Sequence, residues 1–168
     1  MSLYEPSVPQ FTKMLNGLDK WLEAAATHAQ KKSFDANVLV NARLAPDQYP
    51  LVKQVQSACD AAKSAAARLT GKEPPKHPDT EQSMDELRAR VRTCVSYLET
   101  FKPADFAGAE TRSLDLPFLE GKKILGTDYL CELALPNFYF HLVTAYAILR
   151  HNGVDLGKRD FIGSLNLR

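Results

Sequence analysis

The amino-acid sequence predicts an all-α protein, a four-helix bundle with one short β-hairpin before its last helix. Four stretches repeat apolar residues at steps of three and four, proline- and glycine-bearing segments separate them, and a single stretch alternates polar with apolar residues.

In the first stretch, Val8 to Ala29, residues Phe11, Leu15, Leu18, Leu22, Ala25 and Ala29 share one helical face, widened by Met14 and Trp21. Pro9 is expected in the first turn, where its missing N–H goes unneeded, and Lys31 and Lys32 suit the negative end of the helix dipole. The second helix follows Pro46 and Pro50, with Leu51, Val55, Ala58, Ala62, Ala65 and Leu69 as its stripe and Gly71 as its stop. Its alanines allow close approach by a neighbouring helix. After the connector Pro74-Pro75-Lys76-His77-Pro78, a third helix is expected from about Asp79-Thr80-Glu81, burying Met84, Leu87, Val91, Cys94, Leu98 and Phe101 before Pro103.

Alternation at Arg112-Ser113-Leu114-Asp115-Leu116, with Lys122-Lys123-Ile124-Leu125 beyond Gly121, predicts the hairpin. The fourth helix is expected to start at Thr127 as N-cap, to kink or break near Leu135 because of Pro136, and to end at Asn152-Gly153. Its apolar residues surround it, which predicts the most buried element of the fold. Phe161 and Ile162 in the tail are expected to pack on the bundle or on a second subunit.

The chain has 168 residues, 45% apolar and 24% charged, in keeping with one domain spanning residues 1–168 around one core. Twenty-one basic against twenty acidic side chains leave a formal charge of +1, too little to favour nucleic acid or an anionic membrane. No apolar run is long enough to span a bilayer and the first residues lack a secretory pattern, so a cytoplasmic location is expected. Cys59, Cys94 and Cys131 show no disulfide or metal spacing and read as buried, reduced thiols.

Chemistry concentrates on the last helix, where Asn137, His141 and Thr144 form one polar stripe on an apolar element. Buried imidazole and carboxamide groups need partners, and Gln54, at the margin of the second helix's apolar face, is the natural one. Two readings stand open: a structural polar network that fixes helix register, or a pocket for a ligand or metal between helices two and four. One imidazole with two neutral amides is a poor set for zinc or nickel. Arg43, Asp47 and Tyr49, just before helix two, are further pocket candidates, with pairing of Arg43 to Asp47 as the plainer reading. His28, His77 and His151 read as surface residues. No phosphate-binding loop, zinc-protease helix or nucleophile elbow is present, so no local motif encodes an enzyme class.

Leu44-Ala45-Pro46-Asp47, Leu135-Pro136-Asn137-Phe138-Tyr139-Phe140-His141, Ala145-Tyr146-Ala147-Ile148-Leu149-Arg150-His151-Asn152-Gly153-Val154 and Gly157-Lys158-Arg159-Asp160-Phe161 resemble a bacterial and fungal family of unknown function related to the DinB/YfiT-like metalloenzymes. The resemblance covers nearly the whole chain and implies a DinB-like bundle, often a homodimer. Typical DinB-like proteins hold a metal with one histidine on helix two and a His-x-x-x-His pair on the last helix. Those positions fall here on or near Gln54 and on Asn137 and His141, so one histidine of three remains. The expectation is a non-catalytic or small-ligand-binding protein with a degenerate metal site. The alternatives are a metal-dependent thiol S-transferase or hydrolase using His141, and a dimeric interaction module.

Overall fold

The apolar spacing of the sequence sets four long helices: α1 at Tyr4–Lys32, α2 at Leu51–Leu69, α3 at Met84–Leu98 and α4 at Leu135–His151. They belong to a computed structural model, which describes residues 2–167. Between α3 and α4, β1 (Ser113–Asp115) pairs antiparallel with β2 (Lys123–Leu125), Leu114 standing opposite Ile124. A short α5, Lys158–Ile162, ends the ordered elements. The most extensive contacts join α2 to α4 and α1 to α3, with α2 also against α3 and α1 against α4. This mostly helical bundle with a two-stranded hairpin is the architecture the sequence predicts.

Local details differ from the sequence reading for identifiable reasons. The first helix starts at Tyr4, so Pro9 lies inside it rather than in its first turn. Only the Glu5 carbonyl loses an intrahelical donor there, and that residue is exposed to water. Helix α3 starts at Met84, five residues after Asp79, because Ser83 and Glu86 close a capping box: Ser83 Oγ accepts from the Glu86 N–H and the Glu86 carboxylate accepts from the Ser83 N–H.

The last long helix departs furthest. A helical turn at Gly126–Asp128 runs into a π-helical segment, Tyr129–Ala134, and then into α4. Leu125 is the N-cap, and the Thr127 hydroxyl donates to the Glu110 carbonyl, 3.3 Å away, instead of capping. Pro136 can donate no hydrogen bond back along the helix, and the wider π turn just before it absorbs the mismatch without breaking the helical path. Helix α2, not α4, carries the most buried residues; α4 exposes Phe140 and Val143.

The core runs through the bundle as interlocked aromatic and aliphatic side chains. Phe11 and Phe138, both fully buried, meet edge to face at 4.8 Å and tie α1 to α4. Trp21 stacks on Phe161 at 5.4 Å, meets Tyr146 edge-on, and donates through Nε1 to the Asp160 carbonyl at 3.1 Å, so the tail docks on its own bundle. Ile162 remains exposed. Cys59 and Cys94 are buried, whereas Cys131 is exposed, against the expectation of three buried thiols. His77 is half-buried in the connector, with Nδ1 enclosed and without a hydrogen-bond partner among the described residues. No described helix is long and apolar enough to cross a membrane.

Candidate functional site

The tight α2–α4 packing brings Gln54 and His141 together, with Gln54 Oε1 2.8 Å from His141 Nδ1. Gln54 is 1% exposed, and its Nε2 donates to the Tyr49 carbonyl at 3.0 Å. A backbone carbonyl only accepts, so the amide nitrogen must face Tyr49 and the amide oxygen must face the imidazole. His141 Nδ1 therefore carries the proton. The other ring nitrogen, Nε2, is left as a lone-pair acceptor with no protein partner among the described residues. Burial, with no compensating carboxylate, lowers the His141 pKa, which keeps the ring neutral.

His141 lines a groove of about 390 Å³ between α2 and the last helix. One wall is a polar stripe of α2, Ser57, Asp60, Ser64 and Arg68, at the three-and-four spacing of a single helical face. The facing wall is Tyr129, Leu133 and Ala134 from the π segment, followed by Asn137 and His141. The π turn thus sets which side chains face the groove, a placement recurrent at functional sites. Phe118, 61% exposed on the hairpin turn, also lines it.

The charges along this wall are unequally matched. Asp60 is held by Arg90 at 2.8 Å and by Lys63 at 2.7 Å. The Arg68 guanidinium donates to the Tyr129 hydroxyl at 3.3 Å and has no carboxylate partner among the described residues.

Of the residues singled out in the sequence, Asn137 and His141 share the groove and Gln54 stands behind His141. Thr144 is buried elsewhere, its hydroxyl donating to the Phe140 carbonyl one turn back at 2.7 Å. Arg43 donates to the Pro46 carbonyl at 3.2 Å, and no ion pair joins it to Asp47 among the described residues. Tyr49 contributes its backbone carbonyl, while its phenol is 59% exposed. Neither Thr144, Arg43, Asp47 nor Tyr49 lines the groove. Sequence reading passed over Ser57, Asp60, Ser64, Arg68 and Tyr129, although the first four already show helical spacing.

The donors at hand do not fit a zinc or nickel centre. His141 offers one nitrogen, both ends of the Gln54 amide are already hydrogen-bonded, and Asn137 is a neutral amide. Among the described residues, no three His, Cys, Asp or Glu side chains gather where they could hold a metal ion.

Helical bundle, hairpin and a groove against the last helix define the class, a DinB-like helical protein. Within it, the chain belongs to the family described as domain of unknown function DUF1993, whose profile matches residues 3–162. It is 47% identical to a DinB family member protein from Shewanella denitrificans whose crystal structure superposes with a TM-score of 0.95, over 99% of this chain and 94% of that one. No curated protein matches the sequence.

Proposed function

We propose that this protein binds a small organic ligand in the α2–α4 groove, with His141 Nε2 as the hydrogen-bond acceptor that recognises it, and that it does so without a metal. The observation that carries the reading is the amide orientation of Gln54, which fixes the Nδ1–H tautomer and leaves Nε2 of a groove-lining imidazole as an acceptor without a partner among the described residues. Gln54 acts here as a positioning residue behind His141 rather than as a ligand. The runner-up, a metal-dependent transferase or hydrolase, needs two more strong donors than His141 alone supplies.

Elemental analysis after incubation with zinc or nickel and desalting tests the choice. Substoichiometric metal, equal in wild type and His141→Ala, is expected. One retained ion per chain that disappears in His141→Ala would overturn the metal-free reading in favour of a metal centre at His141.

A second reading, compatible with the first, is a homodimer through the outer face of α4. Phe140, 57% exposed, and Val143 lie one turn apart on it, next to Pro136 and Asn137, which are also exposed. Mass measured in solution by light scattering decides: a monomer at every concentration removes it.

A further inference from the structure

Resting on the ligand-binding reading above, we infer that the groove takes an elongated monoanion, its anionic head at Arg68 and a hydrogen-bond donor at its far end against His141 Nε2.

Polarity comes from the two ends of the groove. Pairing of Gln54 with His141 at one end and of Arg68 with Tyr129 at the other means that α2 and the last helix run antiparallel along its length. The rise of an α-helix puts Ser57 and Arg68 about 16 Å apart along the axis, so the recognition groups are separated by several turns. Side chains lean toward the N-terminus of their own helix, which inclines both Arg68 and His141 toward the middle of the groove. A molecule extended along the groove can engage both ends at once.

The chemistry of each end is distinct. Arg68 is a cation whose one side-chain partner among the described residues is the Tyr129 hydroxyl, and a guanidinium in a partly enclosed groove favours an anion over water. At the other end, the neutral imidazole accepts one hydrogen bond through Nε2. Between them, Ala61, Leu133 and Ala134 offer an apolar strip for a hydrocarbon spacer. Asp60 is already paired with Arg90 and Lys63, which leaves Arg68, at one end, as the cation among the described groove-lining residues, and one cation there matches a monoanion with its charge at the end.

Calorimetric or fluorescence titration with three probes of one length tests this: 12-hydroxydodecanoate, dodecanoate without the terminal donor, and dodecane-1,12-diol without the anion. Wild type is expected to prefer the hydroxy acid over each of the other two by about tenfold, the scale of one charge-assisted or one well-placed hydrogen bond. Arg68→Met should abolish the preference over the diol and keep that over dodecanoate; His141→Phe should do the reverse. Each variant serves as the folding control for the other. Equal affinity for all three probes, binding of the short 4-hydroxybutanoate as tight as that of the long acid, or no binding of any probe overturns the elongated-monoanion inference. The metal analysis proposed above is independent of these outcomes and decides the metal-free part of that reading separately, while the His141 acceptor is read on its own from the His141→Phe arm.

Discussion

Gln54 and His141 share a 2.8 Å hydrogen bond in which the imidazole Nδ1–H donates and the amide oxygen accepts, and the same amide donates to the Tyr49 carbonyl. One buried side chain thereby fixes a tautomer on a neighbouring helix and tethers the segment leading into its own.

Gln54→Leu should strand both the Nδ1–H and the Tyr49 carbonyl, at a cost of about 1–3 kcal/mol in urea unfolding. Nitrogen NMR of the ring is the sharper readout. Wild type should show Nδ1 protonated at neutral pH, and Gln54→Leu should show a mixture of tautomers. Gln54→Glu should raise the His141 pKa, because a carboxylate beside the ring favours imidazolium. An unchanged tautomer in both variants would remove Gln54 from the positioning role.

Stability should fall as pH drops below about 6.5, the ordinary imidazole value from which His77 and His141 both depart downward. Burial is the leading cause in each, with Lys63 and Arg90 adding to it for His77. With the folded pKa depressed, the unfolded chain takes up protons first, so unfolding gains from acid until the folded rings also titrate, after which the curve flattens. His141→Gln and His77→Asn should each remove part of the slope in a pH series of urea midpoints. A second decline belongs below about pH 4, where Asp79 protonates: burial raises its pKa, but Lys53 and Arg90 together outweigh burial and lower it. A flat profile from pH 7 to 5 would mean that neither histidine is desolvated.

What was legible in the sequence is what short-range periodicity encodes. The stripes of Phe11 to Ala29 and Leu51 to Leu69 locate helices because one face of each must be dry, and Gln54 and His141 could be paired because each is a polar group on such a face. The π segment was not legible, because Pro136 signals a defect without saying whether the chain kinks or widens by a residue, and packing decides that. Ser57, Asp60, Ser64 and Arg68 show the right spacing, yet polar residues at helical spacing also describe any solvated helix face. The Ser83–Glu86 capping box was readable, and the acidic run just before it drew the helix start too early.

Arg90 should be among the least replaceable polar residues. Its side chain is 3% exposed and bonds Asp60, Asp79, Glu81 and the Pro78 carbonyl, pinning the proline-rich connector onto α2 and α3. Arg90→Met leaves three carboxylates facing one another without their shared cation. A cost of about 3 kcal/mol is expected, the lower end for a broken buried pair because Asp60 and Asp79 keep part of their hydration. Arg90→Lys should recover little, since an ammonium cannot reach four acceptors in the plane of a guanidinium. Urea midpoints test both, and limited proteolysis should cut first between residues 72 and 82 in Arg90→Met. Wild-type stability in Arg90→Met would show that the connector is held by its packing alone.

Gly126, where β2 turns into the last helix, should tolerate no side chain. A Cβ there would lie 1.9 Å from the Ala109 carbonyl oxygen, a backbone atom that cannot rotate aside, and the Leu69 side chain closes the other side at 3.3 Å. The Gly126 N–H also donates to the Arg112 carbonyl at 2.9 Å, which fixes the approach. Relieving the clash would pull the last helix away from α2, the two walls of the groove. Gly126→Ala is therefore expected to lose about 2–3 kcal/mol, more than the gain from adding a good helix former. It should also weaken probe binding in the groove although residue 126 does not line it. A thermal melt beside the 12-hydroxydodecanoate titration separates the effects: lower stability with wild-type affinity would show that the hairpin junction can shift without moving the groove wall.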